Sequence, residues 1–223
     1  MLARDVHIHR GNAKSLHGDC ITLRNEQDVP ANLILCGTGW TSSYPFLNDA
    51  QAGALGLPHP PELDTKEQRE LWRALLDIAD QKVLADYSYL KNPPQYRRPT
   101  LPANTTARLY NCIASLKDDS IVFLGRAHLS NSFRTAEAQA IWATAYFDGN
   151  VKLPPRYEMQ QRVAYMNALS RRRYPTKGAD GDYLFFELIS YTDRLMEEAG
   201  LCSHRRGWWS DLVNAWHPIT RAR

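Results

Sequence analysis

The sequence predicts an α/β protein, and three observations predict it. Two short apolar runs, residues 32–36 (NLILC) and 121–124 (IVFL), each lead into a glycine-containing turn, as buried strands do. Residues 64–89 carry apolar side chains at helical spacing, and two more helical patterns follow residue 150. A hydrophobic share of 43% over 223 residues is enough for a real core in one large domain or one and a half small ones.

The elements are justified in chain order. Residues 6–9 alternate Val6 and Ile8 with His7 and His9, and residues 20–25 alternate around Ile21 and Leu23, so both read as strands. Run 32–36 is continuously apolar and reads as a strand buried on both faces. It ends in Gly37-Thr38-Gly39, but Ser42 stands where a third glycine of a phosphate loop would be, and Pro45 sits where its helix would begin. This turn therefore opens no phosphate-binding helix.

In the 64–89 helix, Asp64 and Thr65 are candidate caps. Glu67 sits at capping-box distance from Asp64, and Leu71, Leu75, Ile78, Ala79 and Leu84 form the expected buried stripe. The proline-rich stretch NPPQYRRPTLPANTT then excludes any helix. Run 121–124 reads as a strand ending on Gly125 and is followed by a helix over 135–147, with Thr135 as cap, Glu137 in the first turn and Gly149 as the stop. Two last helices come from LPPRYEMQQRVAYMNALSRRRYP and YLFFELISYTDRLMEEAG, the second ending at Gly200, with Trp208, Trp209 and Trp216 packing them down.

A net charge of +3 is too slight to imply nucleic acid or an anionic membrane as a partner. Cys20, Cys36, Cys112 and Cys202 lie far apart with no C-x-x-C, so free buried thiols are expected and no metal. His7 and His9 would share a strand face, but no third ligand is in view. G-x-S-x-G and H-E-x-x-H are both missing. Without an apolar leader or a run of about 20 apolar residues, the expectation is a soluble, cytoplasmic protein.

Two longer stretches carry a family resemblance. ANLILCGTGWTSSYPF is similar to the strand, glycine turn and "PF" of flavin-containing monooxygenases of the fungal type, although Asn32 replaces an acid and Gly37 an alanine. AEAQAIWATAYFDGNVKLP is similar to that family's later helix and "LP" over its whole length. The resemblance implies the C-terminal part of a two-dinucleotide-binding-domain flavoprotein fold with a helical C-terminal region, using FAD and NADP.

Under that resemblance, residues 1–47 would be the end of the NADPH-binding domain and the return turn to the FAD domain, and residues 48–118 a helical insertion with the proline-rich excursion. Residues 119–150 would be the last strand and helix of the FAD domain, and 151–223 a helical C-terminal region. Gly37, Thr38 and Gly39 would let the backbone pass beside the cofactor. Gly125 and the first helical turn, Thr135, Ala136, Glu137, Ala138 and Gln139, would aim unpaired amides and a partial positive charge at the electron-rich pyrimidine side of the flavin. Proline at Thr135 or Ala138 would then be tolerated as a first-turn residue, whereas proline at Ile141 would break the helix. No catalytic residue is identified.

The 223 residues contain no G-x-G-x-x-G, and the family carries two. The chain is therefore expected to be a fragment or one piece of a two-chain assembly, with the glycine-rich loops on a missing N-terminal half. Two functions follow. In the first the chain is part of a monooxygenase that uses FAD, NADPH and O₂ to oxygenate a small organic substrate. In the second it is a non-catalytic remnant or interaction protein that binds no flavin on its own.

Overall fold

Among the described residues three short strands come first, then two α-helices, a two-stranded hairpin and three further α-helices. The computed structural model describes residues 7, 9, 11–33, 44–92 and 103–201. By their contacts they form two units, Met1–Tyr44 and Pro45–Arg223.

In the first unit, β1 (Ala13–His17), β2 (Cys20–Leu23) and β3 (Asp28–Pro30) make an antiparallel sheet in the order β1-β2-β3. His17 pairs with Cys20 across a two-residue reversal led by Gly18 at φ +53°, a conformation that costs glycine nothing sterically. Leu23 is the one buried side chain in these strands. This differs from expectation. His7 and His9 are exposed and lie outside any strand. The last ladder ends at Pro30, so Asn32 and Leu33 lie outside it and Leu33 is 77% exposed. Residues 34–36, with Gly37, Thr38 and Gly39, lie outside the described residues.

The second unit begins with α1 (Asp49–Leu55), which the sequence reading missed. Asn48 and Gln51 form a reciprocal capping box, and Gly56 closes the helix at φ +88°. A Cβ on Gly56 would lie 2.7 Å from the Arg108 carbonyl oxygen, so only glycine fits there.

In α2 (Lys66–Asp86) the capping box is Thr65 with Gln68, one residue later than the expected Asp64 with Glu67. The buried stripe is Trp72, Leu75, Ala79 and Val83, at spacings of three and four residues. Leu71 and Ile78, expected in the core, are 40% and 57% exposed. Thr65→Ala should lower stability by about 1 kcal/mol, read as a shift in urea midpoint with unchanged slope. Thr65→Ser should show almost none of this loss.

Helix α4 (Arg156–Arg173) packs Val163, Ala164, Ala168 and Leu169 against the α2 stripe in one core cluster. A second cluster joins the hairpin β4 (Leu109–Tyr110) and β5 (Ala114–Ser115) to α3 (Ser132–Phe147) and α5 (Leu188–Glu198) through Tyr110, Ile113, Trp142, Leu184, Tyr191 and Leu195. The 178–181 turn lies tight on α4: a Cβ on Gly181, at φ +83°, would lie 2.2 Å from Asn167 Oδ1. That amide is already used, donating to Thr106 Oγ1 at 3.0 Å and to the Ala107 carbonyl at 2.9 Å.

The expected strand 121–124 is not a strand. Val122 makes one isolated antiparallel bridge to Ala114, and the Phe123 amide donates to the Ile113 carbonyl at 2.8 Å. The edge it joins is only two residues long, and the chain turns away at Gly125, φ +77°. Strands and helices both occur, but every pair of strands in the described residues is short and antiparallel, and the one parallel pairing among them is a single bridge between His128 and Tyr183. Cys112 is a buried free thiol as expected, whereas Cys20 is only half-buried. Gly149 and Gly200 follow α3 and α5 with positive φ, as expected of C-terminal stops. Trp208, Trp209 and Trp216 lie outside the described residues.

Candidate functional site

Helix α3 and the Gly125 loop form the candidate site. The cap of α3 is Asn131, four residues before Thr135: its Oδ1 accepts the Arg134 amide at 3.0 Å. Thr135 therefore lies inside the helix. Its amide donates to the Asn131 carbonyl at 3.1 Å, and its hydroxyl donates to the same oxygen at 2.7 Å. The expectation that Thr135 caps the helix and offers an unpaired amide is corrected. The amides without an intrahelical acceptor are those of Ser132 and Phe133. Proline at Thr135 would remove a formed hydrogen bond, and Ala138 lies deeper still, so neither position tolerates it as a first-turn residue.

The remaining predicted residues divide by face. Thr135, Ala138 and Gln139 are buried, with Trp142 continuing the same row at i, i+3, i+4 and i+7. Ala136 and Glu137 are exposed on the other side. Gly125 is brought to this helix directly: its amide donates to Gln139 Oε1 at 2.7 Å. Gln139 Nε2 donates to the Tyr191 hydroxyl at 2.7 Å, which donates to the Asn111 carbonyl at 2.7 Å. A Cβ on Gly125 would meet nothing within 4 Å, so this loop faces open space.

The relay ends at a hairpin held by a hub carboxylate. Asn111 and Cys112 both take positive φ, 52° and 57°, which is costly for side-chain-bearing residues and must be held by surrounding contacts. Glu198 holds Asn111 and its neighbour Tyr110. It accepts from Tyr110 OH at 2.9 Å, Asn111 Nδ2 at 2.7 Å and Trp142 Nε1 at 3.0 Å, with Arg162 Nη2 at 3.3 Å. Burial pushes the Tyr110 hydroxyl up to about 12 and the Cys112 thiol up to about 12, so both stay neutral at physiological pH. Burial also raises Tyr191, which keeps its proton to donate.

A second cluster was not read from the sequence. His59 Nδ1 donates to the Leu57 carbonyl at 2.8 Å, while its Nε2 lies 3.1 Å from Asp64 Oδ1. Arg108 clamps Asp64 with two bonds, 2.7 and 2.5 Å, and lies 5.0 Å over the Trp72 ring. Burial alone would push the Asp64 carboxyl up, but the hydrogen bonds and charges of Arg108 and His59 outweigh it and hold the carboxyl below the usual range. A cavity of about 200 Å³ adjoins the cluster, lined by Gly53, Leu63, Gln68 and Lys117 among others. Both ring nitrogens of His59 are engaged, so the cluster is a lock between α1, α2 and the 105–108 strand entry rather than a free base. Partners 44 and 46 residues apart in sequence left no local signal.

Among the described residues no group of three His, Cys, Asp or Glu could hold a metal. No described helix is long and apolar enough to cross a membrane.

The chain is similar to fungal FAD-dependent monooxygenases. It is 30% identical over 215 residues to "FAD-dependent monooxygenase rstn6" of Aspergillus nomiae, covering 89% of this chain and 36% of that one. It is 29% identical to "FAD-dependent monooxygenase resA" of Aspergillus sclerotiorum, covering 89% and 37%, and to "FAD-dependent monooxygenase DEP4" of Fusarium langsethiae, covering 95% and 37%. The chain thus spans just over a third of the length of these relatives. No family model matches it, and no solved structure does.

Proposed function

We propose that this chain is the C-terminal part of an FAD-dependent monooxygenase that, when complete, uses NADPH and O₂ to oxygenate a small organic substrate. The observation that carries this reading is the similarity to FAD-dependent monooxygenases over nine tenths of the chain. It agrees with the two motifs, around Gly37 and around Ala136, that resemble the same family.

Thr135, Ala138 and Gln139 face the core, and the Gly125 amide is taken by Gln139. What this part of the chain offers to a ligand is the open side of the Gly125 loop and the Ser132 and Phe133 amides. FAD, when bound to the complete protein, would supply the redox chemistry that couples NADPH oxidation to oxygen transfer. The residues described here would build the wall beside it.

The test is flavin content. Purified alone, the chain should be colourless, because stable FAD binding rests on pyrophosphate contacts at a glycine-rich loop, and no such sequence occurs in it. Set in place of the corresponding segment of the Aspergillus sclerotiorum relative, it should retain FAD and support NADPH oxidation. A yellow isolated chain would show a phosphate site of its own. A substituted protein that folds without flavin would favour the second reading, a non-catalytic remnant, for which the closed Thr135 amide is the supporting observation.

A further inference from the structure

The cavity beside the lock of His59, Asp64 and Arg108 plays no part in the proposed function, since none of the residues lining it belongs to α3 or to the Gly125 loop. It measures about 200 Å³, roughly seven waters' share of liquid volume. Ala50, Gly53 and Ala54 of α1 give it an apolar side with nothing longer than a methyl group, and Leu63 extends that side. His59 and Asp64 of the lock line it as well. Its remaining polar atoms come from Gln68, in the first turn of α2, and from Lys117, in the loop after β5.

These polar groups divide into those already matched and those left over. Asp64 accepts from Arg108 on both carboxylate oxygens and faces His59 on one, while His59 Nδ1 donates to the Leu57 carbonyl. The carboxylate charge is thus answered inside the lock. Gln68 Oε1 accepts the Thr65 amide at 3.0 Å, which leaves Nε2 of the same side chain without an acceptor among the described residues. The ammonium group of Lys117, an exposed residue, has neither a carboxylate nor a hydrogen-bond acceptor among them. What the cavity has unspent is therefore donors and one positive charge, at the positive end of α2. We propose that this cavity binds a short-chain carboxylate, its oxygens on Lys117 and Gln68 and its few carbons against Ala50, Ala54 and Leu63. One lysine matches one carboxylate charge, in a charge-assisted bond about twice as strong as a neutral one. An inorganic phosphate would leave oxygens bare against methyl groups, and an organic cation would meet Lys117 with no unmatched carboxylate to receive it. The inference does not depend on the proposed function.

The test is a titration of the 223-residue chain with sodium butyrate, followed by the backbone amide resonances of Gly53 and Gln68 in solution NMR, with sodium chloride at the same ionic strength as reference. Butyrate should move both resonances along one saturable curve. Lys117→Met, which keeps the stem and removes the charge, and Ala54→Leu, which fills the cavity from an exposed position on α1, should each weaken binding at least tenfold. Lys152→Met, at an exposed lysine outside the cavity, should leave it unchanged. Inorganic phosphate and n-butylamine should not saturate the same resonances. None of the three substitutions alters a buried side chain, so all three variants should melt with the natural chain, and a lost titration then reports the cavity rather than unfolding. The proposal is overturned if butyrate moves the resonances no further than sodium chloride does, which would leave the cavity to water. It is equally overturned if Lys117→Met or Ala54→Leu binds butyrate as the natural chain does, or if phosphate or butylamine binds as tightly.

Discussion

Trp142→Ala should lower the unfolding free energy of the helical unit by about 3–5 kcal/mol, the largest single effect expected of any α3 substitution. Trp142 is fully buried between Tyr110, at 6.4 Å between ring centroids, and Tyr146, stacked at 5.2 Å with planes 10° apart. Its Nε1 donates to Glu198, the carboxylate that also holds Tyr110 and Asn111. Truncation leaves a ring-sized cavity and removes one of the donors to the half-buried Glu198 carboxylate. The melting temperature should fall by roughly 10 °C for a unit of this size. Trp142→Phe separates the two causes, since it keeps most of the ring and loses only the donor, at a cost of about 1–3 kcal/mol. A thermal melt in which both variants lose less than about 1 kcal/mol would show that the hub does not hold the hairpin.

That hub shows what was legible in the sequence and what was not. The helical pattern around Trp142 and its stop at Gly149 are local, carried by side chains three and four residues apart, and they stand in the structure as read. The start of the helix was misplaced because Thr135 is a good capping residue type, yet Asn131 with a formed bond to the Arg134 amide wins, and Thr135 turns its hydroxyl back on the helix. Likewise in α2, Leu71 and Ile78 were read as core because they are apolar, whereas burial follows the row through Trp72, which the α4 face meets. Glu198 could not be foreseen at all, since Trp142, Asn111 and Tyr110, which donate to it, lie 56 to 88 residues away. The same holds for Gln139, named from the family motif as a cofactor contact. In the structure Gln139 joins the Gly125 amide to Tyr191, contacts 14 and 52 residues away in sequence that leave no local signal. The flavin link itself was legible only through resemblance, because no local periodicity encodes it.

Asp64→Asn should destabilise by about 3–5 kcal/mol near neutral pH and should also remove one component of the protein's acid sensitivity. Asp64 is buried with Arg108 on both carboxylate oxygens and His59 Nε2 on one. Arg69 also donates to its backbone carbonyl. The asparagine keeps the shape but leaves the Arg108 guanidinium, packed over Trp72, without its counter-charge. The sign of the pH dependence follows from the lowered carboxyl pKa. A carboxyl whose folded value lies below its unfolded value of about 3.9 stabilises fully above that unfolded value, and the stabilisation is lost as pH falls through the folded one. The difference in stability between the natural chain and Asp64→Asn should therefore be flat from neutrality to about pH 5 and shrink below about pH 4. Asp182 acts in the opposite sense. Burial raises its carboxyl despite Arg126 Nη2 at 2.9 Å, so its ionisation as pH rises costs stability. The natural chain's own acid curve sums both groups, whereas Asp182 cancels in the difference between the two chains. Arg108→Met in the Asp64→Asn background should recover part of the loss, because it removes the stranded cation and puts an apolar side chain in its place beside Trp72. If urea melts at pH 7 show Asp64→Asn within about 1 kcal/mol of the natural chain, or a difference that stays constant down to pH 2.5, the charge lock between α1, α2 and residues 105–108 does not contribute as its geometry requires.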